Sequence, residues 1–165
     1  MAIPTPLVLT DLGIALGDGA ATEVFSDVSC SGNHLEISPD TAVTEVESFC
    51  GSVDIPGLTK WSLVLTFNQS LDSGAIEDVL SAIVDANIPV GFQVLGYKSQ
   101  PVGATNPMWT GKVRPAPYSP VSGDAGDTST IELEWGIVEG PNKTITGTFP
   151  TGAMPLAESA SKSSK

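Results

Sequence analysis

The 165-residue chain contains one histidine and two cysteines, and that scarcity removes most catalytic and metal chemistry at the outset. A nucleophilic triad needs a base beside the nucleophile, usually histidine. His34 stands next to Ser31-Gly32-Asn33 and reads as a solvated loop residue, with a catalytic base as the alternative. Cys30 and Cys50 do not make a zinc-ligand pattern. They are two separate thiols or, against cytosolic redox poise, a disulfide. No phosphate-binding glycine loop, dinucleotide fingerprint or nucleophile elbow occurs. The expectation is a protein that is not an enzyme and holds no cofactor or metal. No stretch approaches the roughly 18 apolar residues of a membrane helix. Met1 to Leu7 has no basic residue ahead of a hydrophobic run, so no secretory signal is expected there. The glycosylation sequons at Asn68-Gln69-Ser70 and Asn142-Lys143-Thr144 are then chance matches.

Positive charge is scarce too. Seven Lys and Arg face 19 Asp and Glu, a formal net charge of −12. Such a surface repels phosphate backbones, which excludes sequence-reading or wrapping of nucleic acid. It disfavours anionic membranes for the same reason. Yet only 16% of residues are charged, so Thr, Ser, Ala and Gly make up much of the exterior. That composition suits a chain largely covered by copies of itself. The length fits one ordinary domain. Residues 1–150 are expected to form a single β domain with an N-terminal arm. Residues 151–165 carry Ala, Ser and Lys without periodicity and are expected to be a flexible tail.

Leu7-Val8-Leu9 suggests a first strand, followed by a flexible or bulged segment to about residue 28. His34–Ile37 reads as a short strand stopped by the turn residues Ser38-Pro39-Asp40. Thr41–Cys50 alternates, with Val43, Glu45, Glu47 and Phe49 on one parity, and neither face is purely apolar. Gly51–Lys60 reads as a loop. Trp61–Phe67 is a clean strand, with Trp61, Leu63, Leu65 and Phe67 sharing a face. One helix follows: Ser73 or Asp72 is the candidate cap, and Glu77 and Asp78 suit the positive end of its dipole. Ile76, Val79, Leu80, Ile83 and Val84 form a single apolar stripe. Asn87 and Pro89 end it.

Val90–Lys98, Met108–Arg114 and Thr130–Val138 are further strands, separated by the proline-bearing loops Gln100–Pro107 and Pro115–Asp127. In the last strand Ile131, Leu133, Trp135 and Ile137 face the core, while Glu132 and Glu134 face out. The total is six to eight strands and one helix without an internal repeat. This pattern predicts a mainly β fold: an antiparallel sandwich or barrel with one flanking α-helix. Trp61, Phe67 and Trp135 are the expected core anchors. Glu45 with Glu47, and Glu132 with Glu134, are spaced by two, so each pair shares a strand face. Such pairs read as solvated faces, with glycosidase-type carboxylates as the alternative. Asp124–Asp127 lacks the ligand density of a calcium loop.

Four pieces carry a resemblance to a known family. They are Phe49-Cys50-Gly51 ahead of Trp61-Ser62-Leu63-Val64-Leu65-Thr66-Phe67-Asn68-Gln69; a helix running into Pro89-Val90-Gly91-Phe92; Trp109-Thr110-Gly111-Lys112-Val113 before a proline loop; and Leu133-Glu134-Trp135-Gly136-Ile137-Val138-Glu139-Gly140-Pro141. In order and spacing, from about residue 49 to 141, they resemble the major tail proteins (tail tube proteins) of siphophages. The helix lacks the aromatic residues of many members.

The resemblance implies a sandwich or barrel with a flanking helix, as in the type VI secretion tube. It implies hexameric rings stacked into a tube whose inner wall is a continuous β-barrel. It places the chain in the virion tail, made in the host cytoplasm, with tape measure, tail terminator and baseplate proteins as partners. DNA passes through the channel without specific binding, and no membrane is involved. On that reading Glu45, Glu47, Glu132 and Glu134 are the candidates for lumen-facing carboxylates. The N-terminal segment, Gly51–Lys60 and Pro115–Asp127 are expected to be mobile in the single chain and ordered between rings. The competing expectations are an extracellular immunoglobulin-like binding or adhesion module and, third, a hydrolase using the carboxylate pairs.

Overall fold

A computed structural model describes residues 10–48, 51–69 and 76–150. Leu7–Leu9, the candidate helix caps Asp72 and Ser73, Phe49, Cys50 and the tail 151–165 lie outside the described residues. The elements are β1 (Gly13–Gly17), β2 (Phe25–Asp27), a 3-10 turn (Ser29–Ser31), β3 (Gly32–Ser48), β4 (Gly51–Asn68), α1 (Ile76–Ala86), β5 (Val90–Leu95), β6 (Met108–Arg114) and β7 (Thr130–Thr144). The seven strands form one sheet in the order β2-β1-β5-β6-β7-β4-β3. Every neighbouring pair is antiparallel. The fold is mainly β with one helix, as expected.

Connectivity decides between sandwich and barrel. β2 and β3 are the two outer strands of the sheet, yet only residues 28–31 separate them. In a flat sheet, six inter-strand steps of roughly 4.8 Å would hold those edges about 29 Å apart. The five backbone steps from Asp27 to Gly32 reach at most about 18 Å. The sheet must therefore roll until its edges approach. At the seam, Val28 N–H donates to the Ile14 carbonyl at 2.9 Å, and Ile14 N–H donates to Ser29 Oγ at 2.8 Å. A single sheet curled into a barrel replaces the two packed sheets of a sandwich.

The inner face follows from the registers. Val94 lies opposite Ile14 and Trp109, Leu63 lies opposite Ile37 and Trp135, and Phe67 lies opposite Ile131. These residues point inward, where all but the partly buried Ile37 and the exposed Trp109 are buried together with Leu16, Leu65, Phe92, Val113 and Leu133. The stripe of α1 (Ile76, Val79, Leu80, Ile83) joins the same cluster, so the helix packs against the inside of the curl. Asn87, at φ 50, ends it in the left-handed conformation that asparagine tolerates. Burying each such side chain stabilises by about 1.5–3 kcal/mol, which is why the stripe, not helix propensity, holds α1 in place.

A second, smaller cluster lies on the outer face, where Phe149 packs with Ala15, Leu95 and Met108. A Cβ on Gly13 would stand 2.9 Å from the Phe149 ring, so β1 needs a glycine there.

Three expectations are corrected. Residues 32–48 are one continuous strand, not two pieces broken at Ser38-Pro39-Asp40. Proline is tolerated because β3 is an edge strand, where a missing N–H leaves no ladder partner unmatched. Gly51–Lys60 is strand, not loop, because it pairs with β3 from Gly51 opposite Ser48 to Lys60 opposite Asp40. The segment before residue 28 holds two strands, β1 and β2.

The stretch from Pro115 to Asp127 contains no strand or helix, but it is fastened at its start. Trp135 Nε1–H donates to the Ala116 carbonyl at 3.1 Å, and the Tyr118 hydroxyl donates to Glu77 Oε1 at 3.1 Å. Burial, and then the neighbouring Glu77 carboxylate, push the Tyr118 hydroxyl well above its ordinary pKa.

Candidate self-assembly surface

The sheet leaves one long border open. β3 runs 17 residues and hydrogen-bonds only to β4. Its other side presents a row of backbone donors and acceptors with no strand beside it among the described residues. Such a row is a template for pairing with another chain. The opposite border, β2, is only three residues long.

The far half of β3 and the near half of β4 form an arm. β4 pairs with β7 from Trp61 to Asn68 and no further, so residues 41–48 and 51–60 are a two-stranded hairpin with no third strand among the described residues. Thr41 and Thr59 hydroxyls meet across it at 2.8 Å. A bulge falls between Thr41 and Val43, where a Cβ on Gly57 would come within 2.9 Å of the Ala42 carbonyl. Val43 and Leu58 are 60% and 89% exposed on this arm. An isolated hairpin is marginal in water, and one displaying Val and Leu to solvent gains by finding a partner surface.

The acidic candidates fall into two groups. Glu132 and Glu134 are exposed on the outer face of β7, opposite Thr66 and Val64 of β4. Those two residues lie in turn opposite His34 and Glu36 of β3. Glu36, Glu132 and Glu134 thus share one outer patch, with Val64 and Thr66 between the strands that carry them. Glu36 was not among the sequence candidates, although its two-residue spacing from His34, outside Leu35 and Ile37, held the signal. His34 Nε2 stands 4.0 Å from Glu36 Oε2, and both side chains are more than half exposed, so the contact contributes little. Across β7, Arg114 lies opposite Gly136 and Lys112 opposite Glu139, which borders the patch with positive charge.

Glu45 and Glu47 lie elsewhere, exposed on the arm opposite Asp54 and Ser52.

The three aromatic candidates separate as well. Phe67 and Trp135 are buried in the core. Trp61 is half-buried. It sits where β4 leaves the sheet for the arm, so only part of the indole finds core neighbours. Trp61 and Trp109 line a cleft of about 530 Å3 in the rolled sheet, with Leu12, Leu35, Ile37 and Pro141. Lys143 Nζ stands 6.0 Å from the Trp109 ring centroid. Cys30 is free and exposed.

The architecture is thus a rolled antiparallel β sheet with one long border that has no strand beside it among the described residues, and a projecting hairpin. Known structures share its fold. Over 83% of this chain and 96% of the other, it superposes on a chain in the tail of an empty gene transfer agent particle, obtained by helical refinement with C6 symmetry, at a TM-score of 0.52 and 16% identity. A chain from the virion of a native gene transfer agent particle gives a TM-score of 0.50 at 15% identity, with the same coverage. No family model matches the sequence, and no curated protein does.

Proposed function

We infer that this protein is a structural, non-catalytic subunit of the tail tube of a phage-like particle. Copies pair side by side through strand borders into rings, six to a ring, and the rings stack into a channel that conducts DNA during ejection. The observation that carries this reading is the open 17-residue border of β3. Rotational closure gives each border a neighbour and leaves no backbone group unpaired. The six-fold count is taken from the C6 tail whose subunit shares this fold.

Stacking of rings is heterologous and open-ended, so separate proteins must set the length and close the ends. That is the place for tape measure, terminator and baseplate partners. The hairpin arm, with Val43 and Leu58 exposed, is the element that reaches the next ring, and the Pro115–Asp127 loop orders there with it. The outer acidic patch then faces the lumen. Six copies at −12 each carry about −72 formal charges, and a negative wall keeps the DNA backbone from adhering. The site of action is the virion tail, after synthesis in the host cytoplasm.

Negative-stain microscopy of purified, concentrated protein tests the reading. Rings or tubes of uniform diameter are expected. A monodisperse monomer at every concentration, together with a virion tail lacking the chain, overturns it.

A further inference from the structure

We propose that copies join side by side through a charge contact in which Glu36, on the β3 border of one copy, meets Arg114 and Lys112 on the β6 flank of a second copy. This contact rests on the proposed ring and names the side chains that meet in it. Copies that each carry a formal −12 repel one another, so a lateral join gains from setting opposite charges face to face. The described residues include five Lys and Arg: Lys60, Lys98, Lys112, Arg114 and Lys143. Lys98 is paired with Asp27, Lys143 lies over the Trp109 ring, and Lys60 stands opposite Asp40. Lys112 and Arg114 remain, both exposed, and neither forms an ion pair among the described residues.

The two cations share the outer face of β6 on either side of the buried Val113, about 7 Å apart along the strand. Glu139 lies opposite Lys112 without closing an ion pair. Gly136 lies opposite Arg114, and a Cβ there would meet nothing within 4 Å. Arg114 is also the last residue of β6, one place beyond the ladder with β5, which begins at Val90 opposite Val113. The guanidinium therefore stands at a corner of the sheet, beside open space.

The complementary charge stands on the open border. Glu36 projects from β3 on the same outer face, its side chain 57% exposed, and its one ion pair among the described residues is the weak contact with His34. In the sheet order β6-β7-β4-β3, the cations and Glu36 flank the acidic patch from opposite sides. Rotation about a ring axis brings one flank of a copy against the other flank of the next, so each join receives one carboxylate and one cation pair. A two-fold contact through the β3 border would instead set Glu36 against Glu36. A planar guanidinium can hold a carboxylate through two parallel hydrogen bonds, which fixes orientation as well as sign.

Charge reversal on the full chain tests the contact, with assembly read by sedimentation and negative-stain microscopy. Glu36→Lys should raise the critical concentration for ring formation about tenfold or more, because like charges then face each other. Lys112→Glu/Arg114→Glu should do the same. All three changes in one chain restore opposite signs at every join and should bring assembly back to within about three-fold of native. A second measurement needs no substitution. Carbodiimide treatment of native rings built from isotope-labelled and unlabelled chains should couple Glu36 of one copy to Lys112 of another. Either reversal assembling at the native concentration overturns the proposal, as does a folded triple variant that assembles no better than the reversals it combines. Assembled native rings that yield no such coupled peptide overturn it too. In each of these cases the native chain still forms rings, so the contact alone fails. Native chains that never form rings overturn the ring itself, and this contact with it.

Discussion

Lys98 Nζ and Asp27 Oδ2 form an ion pair that fastens the loop after β5 to the edge strand β2, beside the seam where the sheet closes. The Asp27 side chain is only 10% exposed. Burial alone would raise its pKa, but Lys98 and the Ser29 hydroxyl and N–H together hold it below the ordinary carboxylate value. Nearby, Asp11 accepts hydrogen bonds from the Ser99 hydroxyl and N–H, which lower its pKa as well.

The sign follows directly. A carboxyl whose folded-state pKa lies below its unfolded value stabilises the fold above about pH 4 and loses that contribution as pH falls through the folded-state value. Asp27→Asn should cost about 2 kcal/mol near neutral pH, where it removes the carboxylate paired with Lys98. The gap between variant and native should narrow towards pH 3. Chemical denaturation at the two pH values checks this, and an unchanging gap would remove the pair from the account.

Val43→Asp/Leu58→Asp should leave the subunit folded, with stability within about 0.5 kcal/mol of native, because both side chains already face water. Microscopy should then show rings that fail to stack. Normal tubes from this variant would exclude the arm from the contact.

Glu36, Glu132 and Glu134 share the outer patch, whereas Glu45 and Glu47 sit on the arm. Glu132→Lys/Glu134→Lys should therefore give tubes of normal appearance and slow DNA release on the order of tenfold, through attraction to the phosphate backbone. Glu45→Lys/Glu47→Lys should act on stacking instead. Release assays on assembled particles separate the two, and identical effects from both pairs would contradict the assignment.

Gly111→Ala should destabilise by about 1–3 kcal/mol, as overpacking does. An added Cβ would lie 2.4 Å from the Glu139 carbonyl oxygen and 2.7 Å from the Phe92 ring, and neither backbone nor buried ring can withdraw. Thermal unfolding reads it, and a native-like Tm would show that the β6–β7 bulge yields.

The elements with strong alternation or a clear helical stripe were legible from the residues alone. Trp61–Phe67, Thr130–Val138 and the Ile76–Val84 stripe all fall where the structure has them. What escaped did so for identifiable reasons. β1 is Gly-Ile-Ala-Leu-Gly, poor in strand formers, and its small residues are there to admit the Phe149 ring and the Glu23 carboxylate. Gly51–Lys60 holds Pro-Gly and looks like a loop, but pairing across the hairpin overrides local propensity. The acidic patch was half visible: parity placed Glu132 and Glu134 outside, while the register that brings Glu36 beside them is a long-range fact no local window contains.

The ring of Phe149 wedged against Gly13 has a consequence for the order of events during synthesis. Ile14 must wait for Val94, 80 positions later, before β1 has its inner neighbour, and the outer side of β1 is sealed only when residue 149 arrives. Pairings of such sequence separation form slowly. A nascent or prematurely terminated polypeptide therefore offers the sticky β3 border without a finished body behind it. Only a chain translated through Phe149 carries the β3 border on a completed barrel.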